Sequence, residues 1–210
     1  MIEIKHRETG KVLKTVEGNS LTNQNFENTQ LEGANLSGLN LSGADFQCAN
    51  LRGADLRGAR LEKASFHGAV LTNCDFSDAN LQNADLTDAI ANGATFKKAN
   101  MTSAVCRYGK FNDCSFDGAR MGGVDMSMAE LKASMVQVEL MKADLRGANL
   151  VGANLSNSDL SNSNLLDAKL GDANLHGVKM EGATGTLGQK MGGKGLPKKK
   201  KKPWWQFWGS

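Results

Sequence analysis

The chain has 210 residues, enough for one domain with terminal segments, and it is 40% hydrophobic but only 6% aromatic. This composition is low for a globule with a thick core and suits a thin core of Leu and Ala. The net charge is +3, but residues 184–210 contribute +7 through seven Lys, which leaves −4 for residues 1–183. No stretch is apolar enough to cross a bilayer or to act as a secretory signal, which predicts a cytoplasmic protein.

Residues 1–18 are predicted to form an N-terminal β-hairpin cap. Ile2 and Ile4 alternate with charged residues, the sequence ETG is typical of a turn, and Val12 to Val16 reads as a return strand. A repetitive fold has an apolar end and unpaired strand edges. We therefore expect the hairpin to cover the first coil of whatever follows it.

Residues 19–183 repeat every five residues. Nearly every fifth residue from Leu21 to Leu131 is Leu, Phe or Met, and of the twenty positions two places earlier, from Ala34 to Ala129, fifteen hold Ala. Neither an α-helix nor a flat strand brings every fifth residue to one side. The pattern predicts a solenoid that turns a corner every five residues and buries its apolar side chains by stacking neighbouring coils.

The spacing of the Phe residues indicates how many units make one coil. Two sets of three Phe recur at intervals of twenty residues: Phe26, Phe46 and Phe66, then Phe76, Phe96 and Phe116. Four units per coil would stack each set along one wall of the solenoid. The residues predicted to fill the core include Leu36, Phe46, Leu56, Phe66, Phe76, Phe96 and Phe116.

The individual units have a recognisable form. Sequences such as ADLRG, ANLSG, ADFQC and ANLQN place a small residue and then Asp or Asn before the large residue, and polar residues or Gly after it. Asp and Asn favour turns because their side chains bond to nearby backbone. Over roughly residues 20–183 the chain resembles the pentapeptide-repeat proteins. The resemblance implies an all-β, right-handed, quadrilateral parallel β-helix of about eight coils, roughly 40 Å long.

The five-residue register shifts once, near residues 131–135. The large positions fall on numbers ending in 1 or 6 through Leu131 and in 5 or 0 from Met135 onward, so one residue is missing. Nearby, Ala91 replaces a large residue, and Met fills large positions at Met101, Met121, Met126 and Met135. Because Met fills irregular spaces, one interpretation is a loosely specified core. The other is a kink or a binding surface in the Met-rich region 101–141 and the residues just before it.

Residues 184–210 are predicted to form a flexible tail. Its first part, through Pro197, is rich in Gly and typical of a linker. Five consecutive Lys and all three Trp of the chain follow. The predicted binding residues of the tail are Lys198, Lys199, Lys200, Lys201, Lys202, Trp204, Trp205, Phe207 and Trp208. A lysine run beside clustered aromatic residues indicates contact with a partner; the alternative is an inert tail.

No catalytic or metal-binding motif stands out in the sequence. His6, His67 and His176 are dispersed, and the Cys residues lack the spacing of a zinc or redox pair. The many Asp residues recur with the repeat and are explained by corner geometry. The sequence GQKMGGKG nearly matches a phosphate-binding loop, but Gly195 stands where Ser or Thr is needed. We therefore expect no enzyme activity, no cofactor and no small-molecule substrate.

Three binding functions remain open. The preferred one is a scaffold for a protein partner whose identity the sequence does not give, tethered by its tail to the anionic inner face of a membrane, because Lys is attracted there and Trp favours the interface. The second is implied by the resemblance, since some relatives imitate DNA, bind gyrase and protect it from quinolones. A body charge of −4 is small for that role, and basic residues cluster from Arg52 to Lys63. The third is nucleic-acid binding through the tail.

Overall fold

Residues 1–192 are described by a computed structural model, in which an antiparallel hairpin leads into a solenoid. The hairpin consists of β1 (Ile2–Lys5) and β2 (Val12–Val16). From residue 20 the chain turns at every fifth residue, and each coil forms single parallel β-bridges with the next. No helix occurs in this part of the chain. The predicted all-β, right-handed quadrilateral solenoid is confirmed.

The solenoid has four walls, and each wall receives one five-residue unit from every coil. We number the walls first to fourth after the units centred on Leu21, Phe26, Leu31 and Leu36. In each unit the residue before the central one forms the bridge to the next coil, and the two residues after it make the turn. Most bridges join residues that are twenty apart. One coil therefore contains four units, as the Phe spacing predicts.

The interior holds the central residues and the small residues of all four walls. The seven side chains predicted to face inward are each 0% exposed: Leu36, Phe46, Leu56, Phe66, Phe76, Phe96 and Phe116. The ring of Phe96 lies 4.8 Å from that of Phe76 and 4.9 Å from that of Phe116, in stacked orientation. This is the aromatic stack along one wall that the twenty-residue spacing predicts.

Side-chain hydrogen bonds and left-handed residues shape the corners. The side-chain oxygen of Asn25 accepts a hydrogen bond from the backbone N–H of Glu27 at 2.7 Å, and this pattern recurs along the chain. The second turn residue has a positive φ, at Gly33 (65°) and also at Lys63 (59°). Gly adopts this conformation without steric cost, whereas other residues do so less readily. A side chain at this position is tolerated by the fold but not required by it.

The missing residue shortens a single corner of the third wall. Bridged residues are twenty apart up to Lys110–Glu130, nineteen apart at Ser115–Ser134, and twenty apart again at Ser134–Asn154. Leu131 and Met135, on either side of the shortened corner, stay fully buried. The core Met residues of this region are also buried: Met101, Met121, Met126 and Met135. These four methionines therefore belong to the core.

The hairpin closes the N-terminal end of the solenoid. Ile4 and Val16 are buried against the first coil. The N–H of Arg7 donates to the carbonyl oxygen of Gly33, and the N–H of Asn35 donates to that of Lys5, both at 2.8 Å. The first coil thus gains backbone partners on one edge and an apolar cover.

The C-terminal end differs from the flexible linker predicted to begin at residue 184. Thr184 forms an antiparallel bridge with Lys190, and the N–H of Met191 donates to the carbonyl oxygen of Ala183 at 2.8 Å. Met191 is only 6% exposed and covers the last coil. The glycines suggested flexibility, but backbone pairing and one buried side chain fold residues 184–192 into a closing turn. The rest of the predicted linker and all nine predicted binding residues of the tail lie outside the described residues.

Candidate interaction surface

Outward charge is unevenly distributed over the four walls. The second wall carries seven acidic residues and two arginines, a net charge of −5: Glu27, Asp45, Asp85, Asp88, Asp125, Asp144, Asp167, Arg107 and Arg146. The first wall has five basic and four acidic residues, the third has four of each, and the fourth has three basic and four acidic. Those three walls are therefore within one charge of neutrality. The negative charge of the solenoid is concentrated on the second wall.

The same wall exposes large apolar side chains along its C-terminal half. Tyr108 is 57% exposed, Met128 55%, Leu166 36% and Leu187 81%. We call these four residues the apolar ridge. Tyr108, Met128 and Leu187 occupy the second turn position in different coils, and Leu166 occupies the first turn position between them.

Backbone hydrogen bonds show that the ridge follows one continuous corner. They connect successive coils in the order Tyr108 N–H to Ser127 O, Met128 N–H to Arg146 O, Gly147 N–H to Leu166 O, and Asp167 N–H to Thr186 O. Their donor–acceptor distances lie between 2.9 and 3.2 Å. The ridge therefore crosses four coil-to-coil steps, roughly 19 Å at the usual strand spacing.

Gly147 makes a groove in the middle of the ridge. The sulfur of Met128 lies where a Cβ atom on residue 147 would have to be, so Met128 folds down over the glycine. The groove has a volume of about 360 Å³ and is lined by Ser127, Met128, Arg146, Gly147, Leu166 and Asp167. An apolar floor with an arginine and a carboxylate at its edges suits an amphipathic or aromatic side chain of a partner.

Two arginines flank the ridge and are held against the wall by ion pairs. Arg107 Nε lies 2.5 Å from an Asp125 oxygen, and Arg146 Nη2 lies 2.6 Å from an Asp144 oxygen. These hydrogen bonds raise the pKa of both guanidinium groups. Partial burial of Asp125 opposes its ionisation, but hydrogen bonds from Ser127 and Arg107 outweigh this and lower the pKa of the carboxyl group. Arg107 and Arg146 are therefore fixed beside the ridge.

The conformation of the ridge residues shows that the fold does not demand them. Tyr108 has a φ of 57° and Met128 a φ of 61°, in the left-handed region. Bulky side chains are uncommon there, and other corners of this chain place Gly at the same position. Both side chains are more than half exposed and lie outside the core. Core packing therefore does not explain their presence at this corner.

A second groove lies between the hairpin and the fourth wall. It has a volume of about 530 Å³ and is lined by Arg7, Glu8, Asn35, Ser37, Asp55, Arg57 and Asp75. Arg57 lies 2.6 Å from an Asp55 oxygen and 4.0 Å from an Asp75 oxygen. The hydrogen bond from Arg57 lowers the pKa of Asp55 despite partial burial. Its two arginines each pair with carboxylates of the same lining, Arg7 with Glu8 and Arg57 with Asp55 and Asp75, so we assign the groove a structural role beside the cap.

Three of the four cysteines are buried in the core of the solenoid. Burial raises the pKa of Cys74 and of Cys114 to about 12 and also raises that of Cys106. Cys48 alone among the four is exposed. Within residues 1–192, His, Cys, Asp and Glu form no cluster of three that suits a metal ion. The same residues include no helix with the length and apolarity to span a bilayer.

The ridge was not foreseen as a site from the sequence. The Met-rich region drew attention to residues 101–141, which include Tyr108 and Met128, but Leu166 and Leu187 lie well outside it. The available signal was a set of large residues at the turn positions of one wall, with Tyr108 and Met128 twenty residues apart and Leu166 and Leu187 two and three coils further on. Recognising that these residues align requires both the coil length and the position of the missing residue.

Four walls built from twenty-residue coils define this protein as a quadrilateral β-solenoid. A family model described as pentapeptide repeats matches residues 25–62, 49–88, 64–102, 79–118 and 139–184. These ranges cover more than half of the chain, and the chain belongs to the pentapeptide-repeat family. Proteins of this family are generally structural or interaction proteins. The unmatched stretch 119–138 contains the shortened corner.

Several solved structures are similar to this chain. HetL, a pentapeptide-repeat protein involved in heterocyst differentiation regulation from the cyanobacterium Nostoc, is 24% identical, with 81% of this chain and 89% of HetL covered and a TM-score of 0.45. A trypsin-treated form of QnrB1, a plasmid-mediated fluoroquinolone resistance protein, is 22% identical, with 77% and 89% covered and a TM-score of 0.46. Rfr23 from the cyanobacterium Cyanothece is 18% identical, with 76% and 85% covered and a TM-score of 0.27. The comparison with curated proteins finds no match.

Proposed function

We propose that this protein is a non-enzymatic scaffold that binds a protein partner on the apolar ridge and is held at an anionic membrane surface by its C-terminal tail. The observation that carries the proposal is the ridge itself, four exposed apolar side chains along one corner of one wall. Contiguous exposed apolar surface marks interaction sites, and Tyr, Met and Arg are enriched in protein interfaces.

The proposal assigns no catalysis to the acidic residues. Asp85 accepts a hydrogen bond from the N–H of Thr87 at 2.9 Å, and Asp125 accepts one from the N–H of Ser127 at 3.0 Å. The same bond recurs at corner after corner. It satisfies a turn N–H each time, which accounts for the regular spacing of these carboxylates without a chemical step.

The membrane part of the proposal rests on the sequence of the tail. Lys198 to Lys202 would each gain on the order of 1 kcal/mol near an acidic leaflet, and the four aromatic residues that follow favour the headgroup region. A basic run and an aromatic anchor together supply the two signals that stable attachment requires. The second wall, at −5, would be repelled by the same leaflet, so the ridge would face away from the lipid. The protein would then lie at the inner face of the membrane.

Vesicle retention tests the tether. The full chain should bind vesicles rich in anionic lipid at low salt, bind neutral vesicles weakly, and show Trp emission shifted to the blue. A version ending at Gly192 keeps the closing turn with Met191 and should not bind. Replacing Trp204, Trp205, Phe207 and Trp208 by Ala should leave weak, salt-sensitive binding. Failure of the full chain to bind anionic vesicles would refute the tether, and a Trp shift with single-stranded oligonucleotide instead would favour nucleic acid as the ligand of the tail.

A matched pair of methionines tests the partner surface. Met128 lies on the ridge and Met141 lies on the first wall, and they are 55% and 43% exposed. A photo-crosslinking residue placed at position 128 should give a discrete crosslinked species in cells, while the same residue at position 141 should not. Equal crosslinking at both positions would show that the ridge has no special role.

Gyrase modulation is the alternative, and the charge distribution argues against it. Duplex DNA presents negative charge along both of its strands, whereas only the second wall of this solenoid is strongly acidic. We expect no protection of gyrase supercoiling from a fluoroquinolone at low-micromolar protein. Clear protection would overturn this ranking and make gyrase the partner.

A further inference from the structure

We propose that the C-terminal segment of this chain is itself a ligand of the apolar ridge. In the absence of lipid, Trp204, Trp205, Phe207 and Trp208 would dock on the ridge, and Lys198 to Lys202 would lie against the carboxylates of the second wall. The proposed function describes the tail as a tether; the inference adds that the tail also covers the partner surface. It rests on the proposed function only for the role of the membrane, and docking is testable without any lipid.

Charge complementarity selects the second wall from the four. Residues 193–210 contain six Lys and no acidic residue. The second wall carries −5, and each of the other three lies between −1 and +1. Asp88 and Asp167 are exposed at the corner that bears the ridge, and the ion pairs found within residues 1–192 do not involve them. A basic segment linked to this body is therefore drawn to one wall in preference to the others.

Apolar complementarity selects the ridge within that wall. The ridge offers Tyr108, a methionine folded over Gly147, and Leu166, with the groove of about 360 Å³ between them. Thioether and aromatic groups pack favourably on indole rings. Arg146 lines the groove and can cover an aromatic face. The aromatic residues of the tail match this surface in chemistry.

The closing turn places the start of the tail at the same end of the solenoid as Leu187 but across the second wall from it, since Gly192 lies beside Glu181 of the first wall. Thr186 and Leu187 lie in that turn, and Thr186 accepts the hydrogen bond from Asp167 that continues the ridge corner. From Gly192 to Trp204 the chain spans at most roughly 40 Å when extended. The distance along the ridge from Leu187 to Tyr108 is about 19 Å. The aromatic residues therefore reach the ridge from the end at which the tail begins, with the lysines passing Asp167 on the way.

Docking on the ridge and insertion into a membrane compete for the same aromatic side chains. An anionic membrane would withdraw the tail and uncover the ridge, and a ridge-bound partner would release the tail for the membrane. By linkage each event favours the other.

The chain carries a built-in probe for this contact. Tyr108 is the only tyrosine, and all three Trp lie in the tail. Energy transfer from tyrosine to tryptophan therefore reports on the distance between the ridge and the tail. In the wild-type full chain without lipid we expect transfer, blue-shifted Trp emission and protection of Trp from acrylamide. Anionic vesicles should abolish the transfer while leaving the emission blue-shifted.

Matched variants separate ridge docking from general effects of surface mutation. Met128→Ser with Leu166→Ser alters the ridge and keeps Tyr108, whereas Met141→Ser with Val151→Ser removes comparable exposed side chains, 43% and 41% exposed, from the first and third walls. Only the first pair should lower the transfer and raise acrylamide quenching severalfold. Asp88→Lys with Asp167→Lys should act similarly. Its control, Asp78→Lys with Asp172→Lys, changes two exposed corner carboxylates on other walls and should have little effect.

Identical Trp emission, quenching and transfer in the wild type and all four variants would overturn the proposal. Transfer that rises with protein concentration would also overturn it, because the tail would then be docking on a second copy. Vesicle retention is measured separately, so loss of the tether with intact transfer would refute the membrane role and leave self-docking standing. Retention of the full chain on vesicles without tyrosine-to-tryptophan energy transfer would refute self-docking and leave the membrane role standing.

Discussion

The two halves of the second wall share one backbone geometry and both bury large apolar side chains, but only the C-terminal half also carries large apolar side chains outside. In the N-terminal half, Phe26, Phe46 and Phe66 stack inside with ring centroids 4.9 and 5.0 Å apart. The outward turn residues there are polar or small, such as Gln47 and Gly68. In the C-terminal half the interior is filled by residues such as Cys106 and Met126, and the outward corner bears the apolar ridge.

This difference separates what the repeat requires from what it permits. Inward positions must fill a narrow interior at close packing, and the fold fails if they do not. Outward turn positions only need to allow a left-handed backbone, which Gly satisfies best. Large side chains outside are therefore not explained by folding.

Truncating an aromatic ring inside the N-terminal half should be severely destabilising. Phe46→Ala removes the middle ring of the stack and leaves a cavity between two coils, which we expect to cost about 3–5 kcal/mol of unfolding free energy. Chemical denaturation of the full chain measures this. An effect below about 1 kcal/mol would mean that the interior of this wall can collapse around the missing ring.

Neutralising Asp125, the carboxylate that pairs with Arg107, should have a moderate, pH-dependent effect on stability. The pKa of Asp125 is lowered in the folded protein from its ordinary value of 3.8. Its ionised form therefore stabilises the fold above about pH 4, and this stabilisation is lost as the pH falls through the lowered pKa. Asp125→Asn should cost about 1 kcal/mol at pH 7, since Arg107 is largely exposed, and should flatten the acid limb of the stability curve.

Asp88→Asn provides the control for that prediction because it removes the same charge from an exposed corner of the same wall. It should leave the acid limb unchanged. Thermal unfolding followed between pH 2.5 and pH 7 distinguishes the two variants. An equal change in both would mean that net charge, and not the Asp125 hydrogen bonds, controls the acid response.

Removing the large side chain from the ridge should be neutral or slightly stabilising. Tyr108 has a φ of 57°, a backbone conformation that Gly adopts more readily than Tyr. We therefore expect Tyr108→Gly to raise the free energy of unfolding by up to about 1 kcal/mol. The same variant should weaken binding at the ridge. A clear loss of stability would show that Tyr108 serves the fold, contrary to the contrast between the two halves.

Labelling of the cysteine thiols should have the smallest effect on stability. Cys48 lies outside in the N-terminal half of the wall and Cys106 lies inside in the C-terminal half. Burial raises the pKa of Cys106, so its thiolate is scarce as well as inaccessible. At pH 8 the native protein should take up one equivalent of a maleimide, at Cys48, with little change in melting temperature. Uptake of more than one equivalent would show that the interior opens.

The five-residue pattern predicts the fold because each unit repeats the same local requirements. A small residue, a turn-forming Asp or Asn and a large apolar residue recur so regularly that coil length and inward positions follow from spacing alone. Phe76, Phe96 and Phe116 illustrate this, since twenty residues of separation place them in one stack. The flexible linker predicted from residue 184 is wrong for residues 184–192, because a Gly-rich sequence does not reveal that Met191 packs on the apolar end of the solenoid.

The five-residue pattern specifies the solenoid, its four walls and its inward residues, because these depend on interactions between residues at fixed short spacings. Which outward residues share a surface depends on how the coils stack. Tyr108, Met128, Leu166 and Leu187 are far apart along the chain, and a single shortened corner changes which residues align across the coils. Backbone hydrogen bonds between coils fix that alignment, and with it they gather the acidic residues and the apolar ridge on one wall.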